Sequence, residues 1–294
     1  MVPYNNLIKS SPLSLNRFHL EIPDCLFQMD VEEFDAQEGL SEIYRYTIRF
    51  TSDKSNIPSQ KVLRKHIWLY MYDMPGARDK MLPLKTRKTV HGIVTGFRRL
   101  QSSVDQVLYE VEIKPFIALL DKNFRTHRFF VNKSVTEVVS QILAEHGLES
   151  WQYQFSLKRD YPRREQINQY QESDLAFIQR ILAEVGIFYY FRLQEEVCTE
   201  VIHFGDSQAA FEAGKVLLFT TPSGMEDGGI DSVWGLNQQH HIVQKSVTTK
   251  DYNHRTAQYI LRSEEADMMR GDGDKINYGK AYHYRARHLQ AGDK

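Results

Sequence analysis

The chain has 294 residues, of which 41% are hydrophobic and 26% are charged, and its formal net charge is −1. This length suffices for one large domain or for two to three small ones, and the balanced charge argues against polyanion binding by the chain as a whole. The sequence holds no apolar run of membrane-spanning length, and its first residues lack the apolar core of a signal peptide. We therefore expect synthesis in the cytoplasm and, if the protein leaves the cell, export without a signal peptide.

The first 120 residues contain short segments in which apolar and polar side chains alternate, the pattern of half-buried strands. These segments are 18–22, 27–31, 43–50, 66–73, 88–100 and 105–116. The last two are expected to pair in antiparallel fashion, and Gly92 and Gly96 predict bulges or a bend in the first of them. Such strands, joined by short links before any clear helix, predict a small antiparallel barrel or sandwich.

The middle of the chain carries two helix signals of similar design. Ser134 and Glu137 form a capping box at the start of an apolar stripe that ends at a glycine. Ser173 caps a second stripe, Asp174 places a negative charge at the positive end of the helix dipole, and Gly186 ends the helix. Alternating segments flank both helices, so the sequence predicts an α+β region here.

From about residue 200 the sequence again favours strands. The β-type segments are 199–206, 215–221, 231–253 and 257–265. Residues 267–294 are rich in glycine and charge and are therefore predicted to form a loop. The order along the chain is a β-rich block, an α+β block and a second β-rich block.

The common catalytic and nucleotide-binding motifs are absent from the sequence. Adjacent His240 and His241 would point to opposite faces of a strand, and surface or capping roles are favoured over metal binding for the histidines. The run 270–275 lacks the oxygen ligands of a calcium loop, and Cys25 and Cys198 are expected to be reduced thiols. We therefore predict no catalytic residue, no cofactor and no metal site.

One cluster of charged side chains precedes the second helix. Arg163, Arg164 and Glu165 begin a strand that leads to Glu172 and Asp174. Arginine–carboxylate pairs of this kind favour an ion-pair network that positions the helix, and an anion site is the alternative.

Two further segments leave alternatives open. The basic segment 78–99 lacks interleaved aromatic residues, so a solvated face or a protein contact is favoured over nucleic-acid binding. The apolar run 186–191 predicts a strand buried on both faces, either in the core alone or in the core and a subunit interface.

Several of these motifs together resemble one known family. They are Tyr161-Pro162, Arg164-Glu165, Gln169-Tyr170, Glu172-Ser173-Asp174, Gly186-Ile187 with Phe188 to Phe191, His203-Phe204-Gly205-Asp206, and the segments 91–97 and 115–130. They are similar to the N-terminal region of VgrG proteins, the spike hubs of type VI secretion systems, and the resemblance covers most of the chain.

The resemblance implies an α+β, mainly β fold like that of the phage tail baseplate hub, with two small antiparallel β-barrels joined by an α+β middle region. The implied domains are 1–120 for the first barrel, 121–200 for the middle region and 201–294 for the second barrel. Family chains continue into an oligonucleotide-binding-like barrel and a β-helix needle, so the second barrel can be cut short at Lys294.

The implied function is structural rather than enzymatic. A homotrimer would join the hexameric tail tube, built of Hcp, to the needle and would deliver effectors when the sheath contracts. The implied partners are the tube protein, baseplate components and effector or adaptor proteins, without nucleic acid or stable membrane insertion. The trimer would assemble in the cytoplasm and then be secreted or injected into a target cell. A hub of a phage or phage-derived contractile tail and, more remotely, an envelope hydrolase are the alternatives.

Under this interpretation, a set of residues organises the middle region for assembly. They are Arg163, Arg164, Glu165, Tyr170, Glu172, Ser173, Asp174 and Gly186. Charge reversal at Arg164 is expected to impair folding or assembly rather than catalysis.

Overall fold

The structure is a computed structural model in which most of the first 211 residues are described. Residues 17–211 are described apart from 24, 26, 73–85 and 195; beyond them the described residues are 214, 216–219, 232–233, 235–252, 257–258, 261–262, 266–267 and 277–284. The chain divides into two compact units, Met1–Val216 and Leu217–Lys294. No helix in the described ranges is long and apolar enough to cross a membrane.

Six strands of the first unit close into a barrel. They are β1 (Phe18–Glu21), β2 (Asp30–Gln37), β3 (Arg45–Ser52), β4 (His66–Tyr72), β5 (Thr86–Ser102) and β6 (Val107–Lys114). The order around the barrel is β1-β2-β3-β6-β5-β4, and neighbouring strands are antiparallel. Alternate side chains point inward, as in β3, where Tyr46, Ile48 and Phe50 are buried. The barrel expected for this part of the chain is confirmed.

Two glycines of β5 allow the barrel to close. A Cβ atom on Gly92 would lie 2.6 Å from the carbonyl oxygen of Lys114 and 2.7 Å from Cγ2 of Ile113. Only glycine therefore permits this approach of the two strands. The register between β5 and β6 shifts between Val94 and Gly96, which confirms the predicted bulge at the second glycine.

Two helices and five strands follow the barrel within the same unit. They are β7 (Phe124–Lys133), α1 (Val135–Glu145), β8 (Tyr153–Ser156), β9 (Arg164–Ser173), α2 (Asp174–Val185), β10 (Phe188–Gln194) and β11 (Thr199–Gly205). Strands β7 and β9 form an antiparallel two-stranded sheet, and a second sheet has the order β10-β11-β8, with β8 parallel to β11. One hydrophobic cluster contains the apolar stripes of both helices and the inner side chains of these strands.

The helices begin and end at the predicted capping residues. The Oγ atom of Ser134 accepts a hydrogen bond from the N–H of Glu137, whose carboxylate accepts one from the Ser134 N–H. The Oγ atom of Ser173 accepts from the N–H of Ala176 at 3.2 Å, and Gly186 ends α2 with a left-handed φ of 72°. Both capping predictions and this glycine stop are confirmed.

The C-terminal unit contains short strands among its described residues. They are β12 (Leu218–Phe219), β13 (Ser232–Val233), β14 (Ser246–Asp251), β15 (Leu261–Arg262), β16 (Ala266–Asp267) and β17 (Lys280–Tyr284). Strands β14 to β17 pair in one sheet, in which β17 is parallel to β14. The loop predicted for 267–294 is wrong at β17, because residues 280–284 pair with β14, a long-range contact that local propensity does not reveal.

One closed barrel is present in the part of the chain that the structure describes. Strand β11 pairs with β10 and β8 and thus belongs to the sheet of the α+β region. A second barrel and the division of the chain at 120 and 200 stay predictions.

Candidate functional site

The first residue of α2 is a buried carboxylate surrounded by hydrogen-bond donors. The side chain of Asp174 is not exposed to solvent. Its Oδ1 atom accepts a hydrogen bond from Nε2 of Gln169 at 2.8 Å, and its Oδ2 atom accepts one from Nδ2 of Asn123 at 2.6 Å. The Nε2 atom of His146 lies 2.9 Å from Oδ2, and Nε of Arg125 lies 3.6 Å from Oδ1. One carboxylate thus joins β7, β9 and the end of α1 to the start of α2.

These neighbours keep the carboxylate ionised. Burial by itself would raise the pKa of Asp174, but hydrogen bonds from Gln169, His146 and Asn123 and the charge of Arg125 together hold the pKa below its ordinary value. The N-terminal end of the α2 dipole favours the same negative charge. We name Asp174 and these four neighbours the Asp174 cluster.

Ser173 ties the start of α2 to the turn that precedes β7. Its Oγ atom donates to Oδ1 of Asp121 at 3.2 Å while it accepts the capping hydrogen bond. The backbone N–H of Asp174 donates to the carbonyl oxygen of Asn123 at 2.9 Å. Main-chain and side-chain contacts therefore fix this helix end together.

Partly exposed ion pairs run along the outer side of α2. Nη2 of Arg180 lies 2.5 Å from Oε1 of Glu172, and Nη1 of Arg180 lies 2.8 Å from Oε1 of Glu184. Arg164 of β9 reaches the other carboxylate oxygen of Glu184 at 3.0 Å. We name Arg164, Glu172, Arg180 and Glu184 the ion-pair row. It links β9 to the middle and the end of α2.

Two of the remaining predicted assembly residues, Arg163 and Gly186, lie apart from these two clusters. Arg163 contacts α1 instead of α2, with Nη2 2.5 Å from Oε1 of Glu137. Glu165 is exposed on β9, and Gly186 lies at the opposite end of α2 from Asp174. The structure therefore brings Arg164 and Glu172 into one row and Ser173 and Asp174 to the helix start, whereas it places Arg163 beside α1 and Gly186 at the far end of α2.

Tyr170 belongs to an exposed apolar surface on the β7–β9 sheet. It is 61% exposed, and Phe129 and Val131 of β7 are 56% and 60% exposed. The ring of His127 lies 5.9 Å from that of Phe129 and 6.3 Å from that of Tyr170, centroid to centroid. We name His127, Phe129, Val131 and Tyr170 the outer apolar face. Contiguous exposed apolar side chains of this kind are typical of protein contact surfaces.

A second buried polar cluster lies where the barrel meets the α+β region. Nε2 of His91 in β5 is 3.0 Å from Nδ1 of His66 in β4, and Nδ1 of His91 contacts a carboxylate oxygen of Glu200 in β11. The other oxygen of Glu200 accepts a hydrogen bond from the N–H of Phe116 at 3.0 Å. Burial and, to a smaller extent, the charge of His66 lower the pKa of His91 to about 3. The neutral imidazole is thus part of a structural connection between the two regions.

The sequence did not identify most residues of these buried clusters. Asn123, Arg125 and His146 are single polar residues whose spacing from Asp174 follows no helix or strand period. Only Gln169 carried a usable signal, because it lies two residues after the apolar Ile167 and therefore shares the inward face of β9. His91 and Glu200 are far apart in the sequence and carried none.

The described residues contain no group of three or more His, Cys, Asp or Glu side chains placed to hold a metal ion. Cys25 and Cys198 are not joined by a disulfide. His240 and His241 are exposed and lie outside the strands, and the run 270–275 lies outside the described residues.

The basic segment 78–99 is described only from residue 86 onward. Nζ of Lys88 lies 2.9 Å from Oε1 of Glu38, and Arg98 contacts Glu110. These cations are therefore paired with acids on the barrel surface. Arg78, Lys80 and Lys85 lie outside the described residues.

Comparisons with known proteins converge on one family. A family model described as the phage tail baseplate hub (GPD) matches residues 37–294. The type VI secretion system spike protein VgrG4b of Pseudomonas aeruginosa is 29% identical over 216 residues, which are 73% of this chain and 25% of that protein. The chain thus spans about a quarter of the length of the curated relatives that it matches.

Solved structures agree with this assignment. The E. coli protein c3393, a component of the type VI secretion system with structural similarity to the T4 bacteriophage tail proteins gp27 and gp5, matches with a TM-score of 0.61 and 35% identity, over 70% of this chain and 53% of that one. A tail protein from Neisseria meningitidis MC58 shares the fold, with a TM-score of 0.54 at 10% identity over 94% of this chain and 73% of that one. Because the family model covers most of the sequence, the chain belongs to the phage tail baseplate hub (GPD) family, which has VgrG spike proteins among its relatives.

Proposed function

We propose that the chain is the hub segment of a type VI secretion spike, in which three copies form the adaptor between a hexameric tail tube and a needle. The observation that carries this proposal is the family match over residues 37–294, joined with the 35% identity to the E. coli type VI component. Its partners in this role are the tube protein Hcp, baseplate components and effector or adaptor proteins. The hub assembles in the cytoplasm and is injected into a target cell.

A hub of this kind requires rigidity rather than a catalytic group, because sheath contraction supplies the energy. Two features of the structure support such a mechanical role. The Asp174 cluster joins four elements through one carboxylate, and the His91–Glu200 contact connects the barrel to β11. Buried polar contacts between distant segments resist local opening, because separation would leave unpaired polar groups in the core.

In this proposal the outer apolar face contacts a neighbouring copy of the chain. Exposure of Phe129, Val131 and Tyr170 by more than half supports this placement, since a hub subunit must bury such side chains somewhere. The ion-pair row beside this face supplies charges of both signs, and mixed charges suit a contact between identical subunits.

The test measures the mass of the purified chain in solution and its binding to hexameric Hcp rings. We expect a trimer mass and one trimer per ring, and we expect Val131→Glu to give monomers that remain folded. Val104→Glu is the matched control, because Val104 is fully exposed in the β5–β6 turn of the barrel and belongs to neither β7 nor β9. A monomer at all concentrations that does not bind the rings would contradict the proposal.

A hub from a phage or phage-derived contractile tail is the second candidate, and the description of the matching family as a phage tail hub favours it. The same binding assay with a phage tail-tube protein separates the two candidates. Stronger binding to the phage tube than to Hcp would establish the phage-type hub.

A further inference from the structure

Gln169 carries a buried oxygen to which the Asp174 cluster supplies no donor. The side chain is fully buried, and its Nε2 atom donates to Oδ1 of Asp174 at 2.8 Å and to the carbonyl oxygen of Glu172 at 3.4 Å. These two bonds decide which end of the amide is the donor, so Oε1 is the acceptor. Among the described residues, Oε1 has no hydrogen-bond donor. A buried oxygen of this kind destabilises the fold unless a donor reaches it.

Two guanidinium nitrogens of β7 are donors in the same situation. They are Nη1 of Arg128 and Nε of Arg125, which are shielded from solvent and have no acceptor within hydrogen-bond distance in the part of the chain that the structure describes. Arg128 is the register partner of Gln169 across the β7–β9 sheet, and such partners project from the same face. Nε of Arg125 lies 3.6 Å from Oδ1 of Asp174, the oxygen that Gln169 also contacts. One acceptor and two donors thus lie together on the inner side of this sheet.

The charges around these three atoms balance each other. Nη2 of Arg128 lies 2.5 Å from Oε1 of Glu145, the last residue of α1, and Arg125 faces Asp174. The hydrogen bond from Arg128 and, more weakly, the charge of Arg125 hold the pKa of Glu145 below its ordinary value, so Arg125 acts on both carboxylates. A bound ion would add an uncompensated buried charge to these two cations and two anions. The three atoms therefore select a neutral ligand.

We propose that one water molecule is bound between Oε1 of Gln169 and Nη1 of Arg128, with Nε of Arg125 as its second donor. Water fits these partners because it donates to the amide oxygen and accepts from the guanidinium groups at the same time. The three contacts match the number of hydrogen bonds that a buried water typically makes.

The bound water connects side chains that hold two different helix ends. Arg128 pairs with Glu145 at the end of α1, whereas Gln169 holds Asp174 at the start of α2. A hydrogen bond through water is nearly as favourable as a direct one, so the water extends the Asp174 cluster to the Arg128–Glu145 pair. This inference does not depend on the proposed hub function.

The experiment is a high-resolution crystal structure of the intact chain, joined with a solution measurement. We expect one peak of water density at about 2.7 to 3.2 Å from both Oε1 of Gln169 and Nη1 of Arg128. In solution, the side-chain amide protons of Gln169 and the Nη protons of Arg128 should show nuclear Overhauser effects to a long-lived water. Both observations are made on the unaltered chain and decide the proposal even where a variant does not fold.

A substitution at Gln169 tests whether its amide holds the water. Gln169→Met keeps the length of the side chain and removes the amide, so the density peak and the nuclear Overhauser effect between water and Arg128 should both be lost. Gln154→Met is the matched control, because Gln154 is an exposed glutamine on a strand, and it should leave both signals unchanged.

Three outcomes would overturn the proposal. In the first, the crystal structure shows Arg128 or Arg125 donating directly to Oε1 of Gln169 with no water between them. In the second, the peak is an anion, identified by the anomalous signal of bromide when bromide replaces chloride in the crystal. In the third, the water signal at Arg128 persists at full strength in Gln169→Met.

Discussion

The two ends of helix α2 are held by charged side chains in very different surroundings. At its start, Asp174 is completely buried and has donors from Asn123, Gln169 and His146. Toward its end, Glu184 pairs with Arg164 and Arg180. The exposed fractions of these three side chains lie between 17% and 34%. The same helix thus carries a buried carboxylate at its start and a partly exposed carboxylate near its end.

This difference in burial indicates which charged residues contribute most to the stability of the fold. Water screens the ion-pair row and can replace a lost partner, so each of its pairs contributes little to stability. Water cannot replace the donors of a buried carboxylate, so loss of Asp174 would leave several polar groups unpaired. Charge alone, which is what the sequence displays, does not distinguish these two situations.

The largest expected effect is that of Asp174→Ala. This change removes the hydrogen bonds that Gln169 and Asn123 donate to the carboxylate, as well as the negative charge beside Arg125, and should lower the free energy of unfolding by about 3 to 5 kcal/mol. Urea denaturation followed by circular dichroism measures it. Asp160→Ala is the matched control, since Asp160 is exposed, and it should change stability by less than about 0.5 kcal/mol. Equal effects of the two substitutions would refute a structural role of the Asp174 cluster.

Acid should also lower the free energy of unfolding, because it protonates Asp174 at the buried start of α2. The pKa of Asp174 is lower in the folded chain than its ordinary value, so the unfolded state binds the proton more readily. The stabilisation from this group is complete above about pH 4, the ordinary aspartate pKa, and is lost as pH falls through the folded pKa. Unfolding free energies measured between pH 6 and pH 3 should therefore fall more steeply for the unaltered chain than for Asp174→Asn. The same pH dependence of the unfolding free energy in both proteins would contradict a lowered pKa of Asp174.

A smaller effect is expected at the glycine that ends α2. Gly186→Ala forces a left-handed φ on an L-residue and should cost about 1 to 2 kcal/mol. Gly147→Ala is the matched control, because Gly147 ends α1 with a φ of 85° and has no atom within 4 Å of the added Cβ. The Cβ at Gly186 would lie 3.3 Å from Nη2 of Arg159, so Gly186→Ala should be the more destabilising. Thermal denaturation measures the stability of both variants. A larger loss of stability for Gly147→Ala than for Gly186→Ala would contradict the prediction.

The sequence predicted those parts of this region that depend on local signals. Ser134, Ser173 and Gly186 mark helix ends because capping is decided within one turn of the chain, and the structure confirms them. Period-two alternation and the glycines of β5 predicted a barrel or a sandwich, and the structure shows the closed barrel.

The partners of the charged residues could not be predicted in the same way. Arg163 and Arg164 are adjacent in sequence, yet Arg163, just before β9, contacts α1, and Arg164, the first residue of β9, contacts α2. The closure of the Asp174 cluster depends on packing between β7, β9 and α1, which no local pattern encodes. Propensity alone also gave a loop where β17 finds a partner in β14.

The adjacent arginines give the smallest expected effect and the sharpest test of the exposed end. Arg164→Glu breaks the contact with Glu184 and brings a second carboxylate near it, but Arg180 still binds Glu184, so the loss of stability should be about 1 kcal/mol. Arg163→Glu faces Glu137 at the surface of α1, where both side chains are more than a third exposed, and should leave the free energy of unfolding nearly unchanged. Urea denaturation of both variants at low salt, repeated at high salt, measures the difference, and salt should reduce it because it screens the new repulsion. If Arg164→Glu destabilised the chain as much as Asp174→Ala, burial would not be what separates the two ends of α2.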